Sequence, residues 1–358
     1  MRKIGVLTFH KAINNGAVLQ AFALTHSLTK IGAVAEYIDY TAKKIKESYY
    51  IKPLRSRTSV KSILLYILND KNKFKTQRKF YEFVEKYIPM SQQTDEFAIS
   101  DTAKKYDILI SGGDQVWNLD LTGNDYNYYL NFAFSGKKSS YGSSFGKLDF
   151  SEEEKENIKI CLSQYTTINV RENSAKHFVE TVLGMKCSVV PDPVFLLTKQ
   201  EWIETLGLKE KKGKYILFFE LHNNPVMRKF AIWLSKEKNL PIMRITNSFD
   251  TYKDMRAIKR TGPVDFLELI MNSEYVITDS FHASAFSLIF GKKLYIGLKK
   301  RELAALNTRI DTLTKCYGIQ DQVITENFSE SEIDYAFVND KIKQERFAGI
   351  SALGEMVK

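Results

Sequence analysis

Short apolar runs alternate with stretches of helical periodicity along most of this chain. Residues 4–8 form an apolar run of strand length. Residues 17–29 then place Val18, Leu19, Phe22, Leu24 and Leu28 at helical spacing, after a turn at Asn14-Asn15-Gly16. The same alternation predicts strands at 33–38, 107–111, 139–142, 166–170 and 188–190. After a charged connector it resumes, with strands at 214–221 and 240–246 and helices at 227–237 and 263–271. A strand at 275–278 leads into a helix over 283–290 that Gly291 stops, and a last strand follows at 293–296. The polar 329–355 region reads as a helix. Repeated βα units of this kind predict parallel, doubly wound sheets.

Length changes the picture from one sheet to two. At 358 residues the chain exceeds the comfortable size of a single core. The pattern predicts an N-terminal domain over 1–205, a second over 206–335, and a helix over 336–358 that returns to brace the first. No apolar run approaches the ~18–20 residues that cross a bilayer. Three scattered cysteines make neither a disulfide framework nor a zinc site. A cytoplasmic location, peripheral at the inner face of the membrane, is the expectation.

Charge adds one local feature. The formal net charge is +10, and residues 41–80 hold twelve Lys/Arg against Glu47 and Asp70, so this window carries the whole excess. It is interleaved with aromatic and aliphatic residues. It fits contact with anionic lipid head groups, or a solvated basic excursion; nothing in it resembles a nucleic-acid-reading module.

Candidate chemistry sits at the strand ends, where ligands bind in open α/β sheets. Asn15 follows the first strand, and Gly112, Gly113, Asp114 and Gln115 follow that at 107–111. The glycine pair allows close backbone approach to a ligand. Asp114 reads as a base or as a helix cap. Arg171 reads as a fork for carboxylate or phosphate, or as the partner of Glu172 or another acid. Asp279, Ser280 and His282 end the strand at 275–278, and Arg309 precedes an amphipathic stretch. Lys299, Lys300 and Arg301 are further anion-binding candidates. His10 is placed to line a cleft, whereas His26, His177 and His222 have no supporting context.

Several of these clusters occur together as SGGDQVWN (111–118), SSFG (143–146), VREN (170–173), PDPVFLL (191–197), TDSFHASAF (278–286) and NTRID (307–311). In this order they resemble the polysaccharide pyruvyl transferase family. The resemblance runs from Asn14-Asn15-Gly16 to beyond Asp311. It implies two Rossmann-like domains facing a cleft, similar to the GT-B glycosyltransferase architecture. It also implies transfer of the pyruvyl group of phosphoenolpyruvate to a saccharide, free or lipid-linked, forming a pyruvate ketal in surface polysaccharide biosynthesis. The implied catalytic residues are His282 and Asp114. Asn15, Gly112, Gly113, Gln115, Arg171, Ser280 and Arg309 are the implied substrate-binding set. No cofactor or metal is implied. One departure stands out: relatives often carry arginine where this chain has Ser280. A glycosyltransferase using a nucleotide sugar, or a non-catalytic saccharide-binding protein of the same fold, is the alternative.

Overall fold

The computed structural model describes residues 1–49, 59–60, 63, 71–211, 213–247, 252–298 and 308–358. Most of the aromatic and aliphatic part of the basic window lies outside them, as do Asn307, Lys299, Lys300 and Arg301. The chain divides into two compact units. The first comprises Met1–Tyr50, Glu82–Leu197 and Gln344–Lys358; the second comprises Ile51–Tyr81 and Thr198–Lys343.

The first unit is built on six parallel strands: β1 (Lys3–Leu7), β2 (Val34–Asp39), β3 (Met90–Gln93), β4 (Ile108–Gly112), β5 (Lys137–Tyr141) and β6 (Tyr165–Thr167). Their order across the sheet is β3-β2-β1-β4-β5-β6. This is the doubly wound order, with its reversal between β1 and β4. The single strand expected over 166–170 breaks at Ile168. Beyond the break, β7 (Asn169–Val170) bridges to Ser143 and pairs with β8 (Ser188–Val189).

Helix α1 (Asn15–Lys30) is capped by Asn14, whose side chain accepts from the Gly16 and Ala17 N–H groups. Twelve of its residues are buried, Gln20, Thr25 and Ser27 among them, so polar groups enter the interior and must find partners there. Thr25 returns its hydroxyl to the Ala21 carbonyl, and Gln20 finds partners described below. The core under the sheet centres on Trp117. It stacks on Tyr129 and donates from Nε1 to Ser111 Oγ at 3.0 Å and the Tyr128 carbonyl at 3.2 Å.

The second unit has five parallel strands: β9 (Ile216–Phe219), β10 (Ile242–Ile245), β11 (Met255–Ile258), β12 (Tyr275–Thr278) and β13 (Lys293–Ile296). They run β11-β10-β9-β12-β13, with the reversal between β9 and β12. Both sheets therefore bear out the doubly wound parallel α/β expectation.

Four helices of this unit matter for the site. They are α2 (Pro225–Lys238), α3 (Pro263–Asn272), α4 (Phe281–Phe290) and α5 (Thr308–Cys316). Helix α4 is buried from His282 to Phe290, which explains its apolar run without amphipathic spacing. Phe286 packs edge-on against Trp202 at 5.0 Å, and α3 and α5 pack against the same helix. Ser284 and Ser287 return their hydroxyls to the carbonyls one turn back, so two polar groups are carried inside at little cost. Two long helices, Lys71–Tyr87 and Tyr335–Val357, contribute residues to both units. The former exposes Lys71, Lys73, Lys75 and Arg78. No helix among the described residues is long and apolar enough to cross a membrane.

Candidate functional site

Each sheet gathers polar groups at its own reversal point. In the first unit, β4 ends in Gly112, where an added Cβ would lie 2.6 Å from the Tyr141 carbonyl oxygen. Gly113 follows at φ +121°, and a Cβ there would meet Thr8 Oγ1 at 2.4 Å. Only glycine combines that conformation with contact so close to the end of β1. The turn continues through Gln115, also at positive φ (52°), whose side chain accepts from Asn118.

Asp114 lies inside this turn. Its N–H donates to Gln20 Oε1 at 3.1 Å, and its Oδ1 accepts from Arg171 Nη2 at 2.8 Å. The same guanidinium reaches Glu172 Oε1 from Nη2 (2.8 Å) and Nε (3.1 Å), and Asp192 Oδ2 from Nη1 (2.9 Å). Gln20 closes the circuit by donating Nε2 to Asp192 Oδ2. Arg171 is 4% exposed in its side chain. Burial opposes its charge, but Glu172, Asp114 and Asp192 outweigh that penalty and push its pKa up. Asn15, at the start of α1, keeps Oδ1 buried with no hydrogen-bond partner among the described residues.

Beside this network, His10 is fully buried, with Nδ1 against the Thr8 carbonyl and Nε2 3.3 Å from Asp39 Oδ1. Burial would raise the Asp39 pKa, but hydrogen bonds from His10 and Lys11 prevail and lower it to about 2.

In the second unit, β12 ends at Thr278, which donates Oγ1 to the Phe219 carbonyl at the end of β9 and accepts from the Ser280 N–H. Asp279 is buried, and its carboxylate turns toward the segment after β9. It accepts from the Leu221 N–H at 2.7 Å, the His222 N–H at 2.9 Å and His222 Nδ1 at 3.2 Å. Ser280 is the N-cap of α4, accepting from the Ala283 N–H. His282 lies in the first turn, 6% exposed, with its ring edge-on to Phe281. Arg309 lies in the first turn of α5, half-buried.

The structure thus brings Gly112, Gly113, Asp114, Gln115 and Arg171 into one cluster, with Asn15 on the neighbouring helix. It places Ser280 and His282 at the head of α4, and Arg309 on the helix packed beside it. Sequence reasoning missed three participants. Asp192 is central to the Arg171 network, Gln20 is its bridge, and His222 is the partner of Asp279. Among the described residues no group of three or more His, Cys, Asp or Glu is placed to hold a metal ion.

A family model described as polysaccharide pyruvyl transferase matches residues 14–296, from the cap of α1 to the end of β13. The chain belongs to the polysaccharide pyruvyl transferase family. The match takes in the ends of β4, β9 and β12, and it bears out the resemblance carried by the motifs between Asn14 and Phe286. Curated proteins give no match. Solved structures with a similar trace include the UDP-GlcNAc 2-epimerase of Methanocaldococcus jannaschii, at 12% identity and a TM-score of 0.48, covering 97% of this chain and 93% of that one. The UDP-GlcNAc 2-epimerase of Neisseria meningitidis gives 12% identity and 0.46, covering 97% and 99%. UGT89C1 of Arabidopsis thaliana gives 11% and 0.47, covering 99% and 98%. At such identities the likeness bears on chain trace, and nothing about the reaction of this pyruvyl transferase family member follows from it.

Proposed function

We propose that the protein transfers the pyruvyl group of phosphoenolpyruvate to two hydroxyls of a saccharide, giving a pyruvate ketal. The observation that carries this reading is the family match across residues 14–296, which includes the polar ends of β4 and β12. The chemistry sets what the residues must do. Phosphoenolpyruvate brings a carboxylate and a phosphate, and its vinyl carbon must gain a proton. Two hydroxyl oxygens bond to C2 and the phosphate leaves. Of the two hydroxyl protons, one is balanced by the new methyl hydrogen and the other by the released hydrogen phosphate.

Helix α4 supports binding of the anionic donor. Its first turn offers backbone N–H groups and the positive end of the helix dipole, and His282 stands in that turn. In this reading Ser280 and His282 serve the donor, with the helix head taking the part of the missing arginine, and Arg309 is a further cation for it. Asp114, Gln115, Asn15 and the backbone of Gly112 and Gly113 are proposed as further substrate-binding groups. Arg171 acts by holding Asp114 in place. A lipid-linked saccharide and a cytoplasmic setting belong to the same reading.

A ligand that binds only the native state raises the unfolding midpoint, by about 2.7 kcal/mol of added stability at a hundredfold excess over Kd. Phosphoenolpyruvate is expected to raise the midpoint by several degrees, and UDP-sugars to leave it unchanged. The opposite pattern in a thermal-shift series would replace this reading with a nucleotide-sugar transferase. Silence to both would favour a saccharide-binding protein.

A further inference from the structure

His222 belongs to none of the motifs above, yet the fold places it at the second unit's reversal point, between the ends of β9 and β12. Its Nδ1 lies 3.2 Å from a buried carboxylate oxygen. A carboxylate there only accepts, so Nδ1 carries the proton and the other ring nitrogen, Nε2, is the one left for chemistry. Nε2 has no hydrogen-bond partner among the described residues, and the side chain is 36% exposed.

The mount is rigid on both sides. Asp279 fixes the His222 main chain as well as its ring. Two residues before His222, Glu220 accepts from the Asn224 N–H at 2.7 Å. Two residues after it, Asn224 caps α2 and donates to the Leu298 carbonyl. A histidine needed only for packing would be covered. Asp279 already has two backbone donors, so satisfying it does not require the imidazole.

We infer that His222 is the proton-transfer residue of this site and that Asp279 is its positioning residue. The inference rests on the pyruvyl-transfer reading. The imidazolium, held by Asp279, gives its Nε2 proton to C3 as the C2=C3 π bond opens and a saccharide oxygen bonds to C2, and the bared Nε2 takes up that hydroxyl's proton; the second hydroxyl then bonds to C2 as the C2–O bond to phosphate breaks, its proton leaving on hydrogen phosphate. The protonated ring is matched to a carboxylate 3.2 Å away, as an acid–base pair at a ligand crevice requires. His282, buried in the first turn of α4, is left to steady the donor.

The test uses the full chain with phosphoenolpyruvate and a panel of methyl hexopyranosides as acceptor probes, reading phosphate release. His222→Gln is expected to lower kcat about 10²- to 10⁴-fold, while phosphoenolpyruvate still raises its thermal midpoint as in the wild type. Asp279→Asn, which keeps an acceptor for the backbone, should lower kcat with KM for phosphoenolpyruvate unchanged. In wild-type protein labelled with ¹⁵N-histidine, phosphoenolpyruvate should shift the His222 ring signals. Undiminished phosphate release by His222→Gln overturns the inference and spares the reading. So does a midpoint rise with no change at the His222 ring nitrogens. Wild-type protein that neither releases phosphate nor gains stability from phosphoenolpyruvate overturns the reading, and this reaction for His222 with it.

Discussion

The two sheets reverse at equivalent places and furnish them in opposite ways. At the first, between β1 and β4, polar groups are spent on one another: Arg171 serves three carboxylates, Gln20 ties two parts of the same circuit, and a glycine wraps against Thr8. At the second, between β9 and β12, one buried carboxylate pins a turn and leaves an imidazole nitrogen directed away from it. Buried ionic groups that satisfy each other fix a geometry; a half-exposed group with one end anchored can exchange protons. On the proposal above, the first cluster holds its own geometry and the second carries the proton transfer.

The largest test of that contrast removes the guanidinium. Arg171→Met leaves three carboxylates without their shared cation and is expected to cost about 3–5 kcal/mol, read in chemical denaturation through tryptophan fluorescence. His222→Gln should cost less than about 1 kcal/mol, because the side chain is part-exposed and Asp279 keeps both backbone donors. Equal losses at the two positions would erase the distinction. A smaller effect is expected at the glycine turn. Gly113→Ala forces an L residue to φ +121° and drives Cβ into Thr8, for a loss of about 1–3 kcal/mol. Adding Thr8→Ala should recover the collision but not the backbone strain, so full recovery would show that the conformation itself is cheap.

The smallest effect concerns pH. Asp39 has a folded pKa of about 2 against an ordinary 3.8. Its contribution is complete above about 4 and disappears as the pH falls through 2. Asp39→Asn should flatten the pH dependence of stability in that window and leave it unchanged near neutrality. A variant as steep as the wild type between pH 4 and 2 would show that the ties to His10 and Lys11 add nothing.

How far the sequence could be read depended on where each residue ended up. Central strands β1, β4, β9 and β12 are buried on both faces and wrote continuous apolar runs. The edge strands β3 (MSQQ) and β11 (MRAI) needed no such run, and they left no pattern to find. The break at Ile168 was hidden because strand propensity continues through it while the pairing partner changes. Arg171 and Glu172 are neighbours in sequence, so their pairing was among the open readings. Asp114 and Asp192 join the same guanidinium from 57 and 21 residues away, a relation no local spacing encodes. His282 drew notice through its place at a strand end ahead of a helix, and then through its motif. His222 sits 57 residues from Asp279, yet one signal was available: it follows a strand and precedes the Asn224-Pro225 helix start, as Ser280 follows β12 and heads α4.

The bonds from Asp279 to the Leu221 and His222 N–H groups hold the turn itself. The main chain here has a use for Asp279 whether or not a reaction takes place. The histidine is under no such obligation. On the proposal that His222 moves the proton, a chain without that transfer can lose the ring and keep the turn.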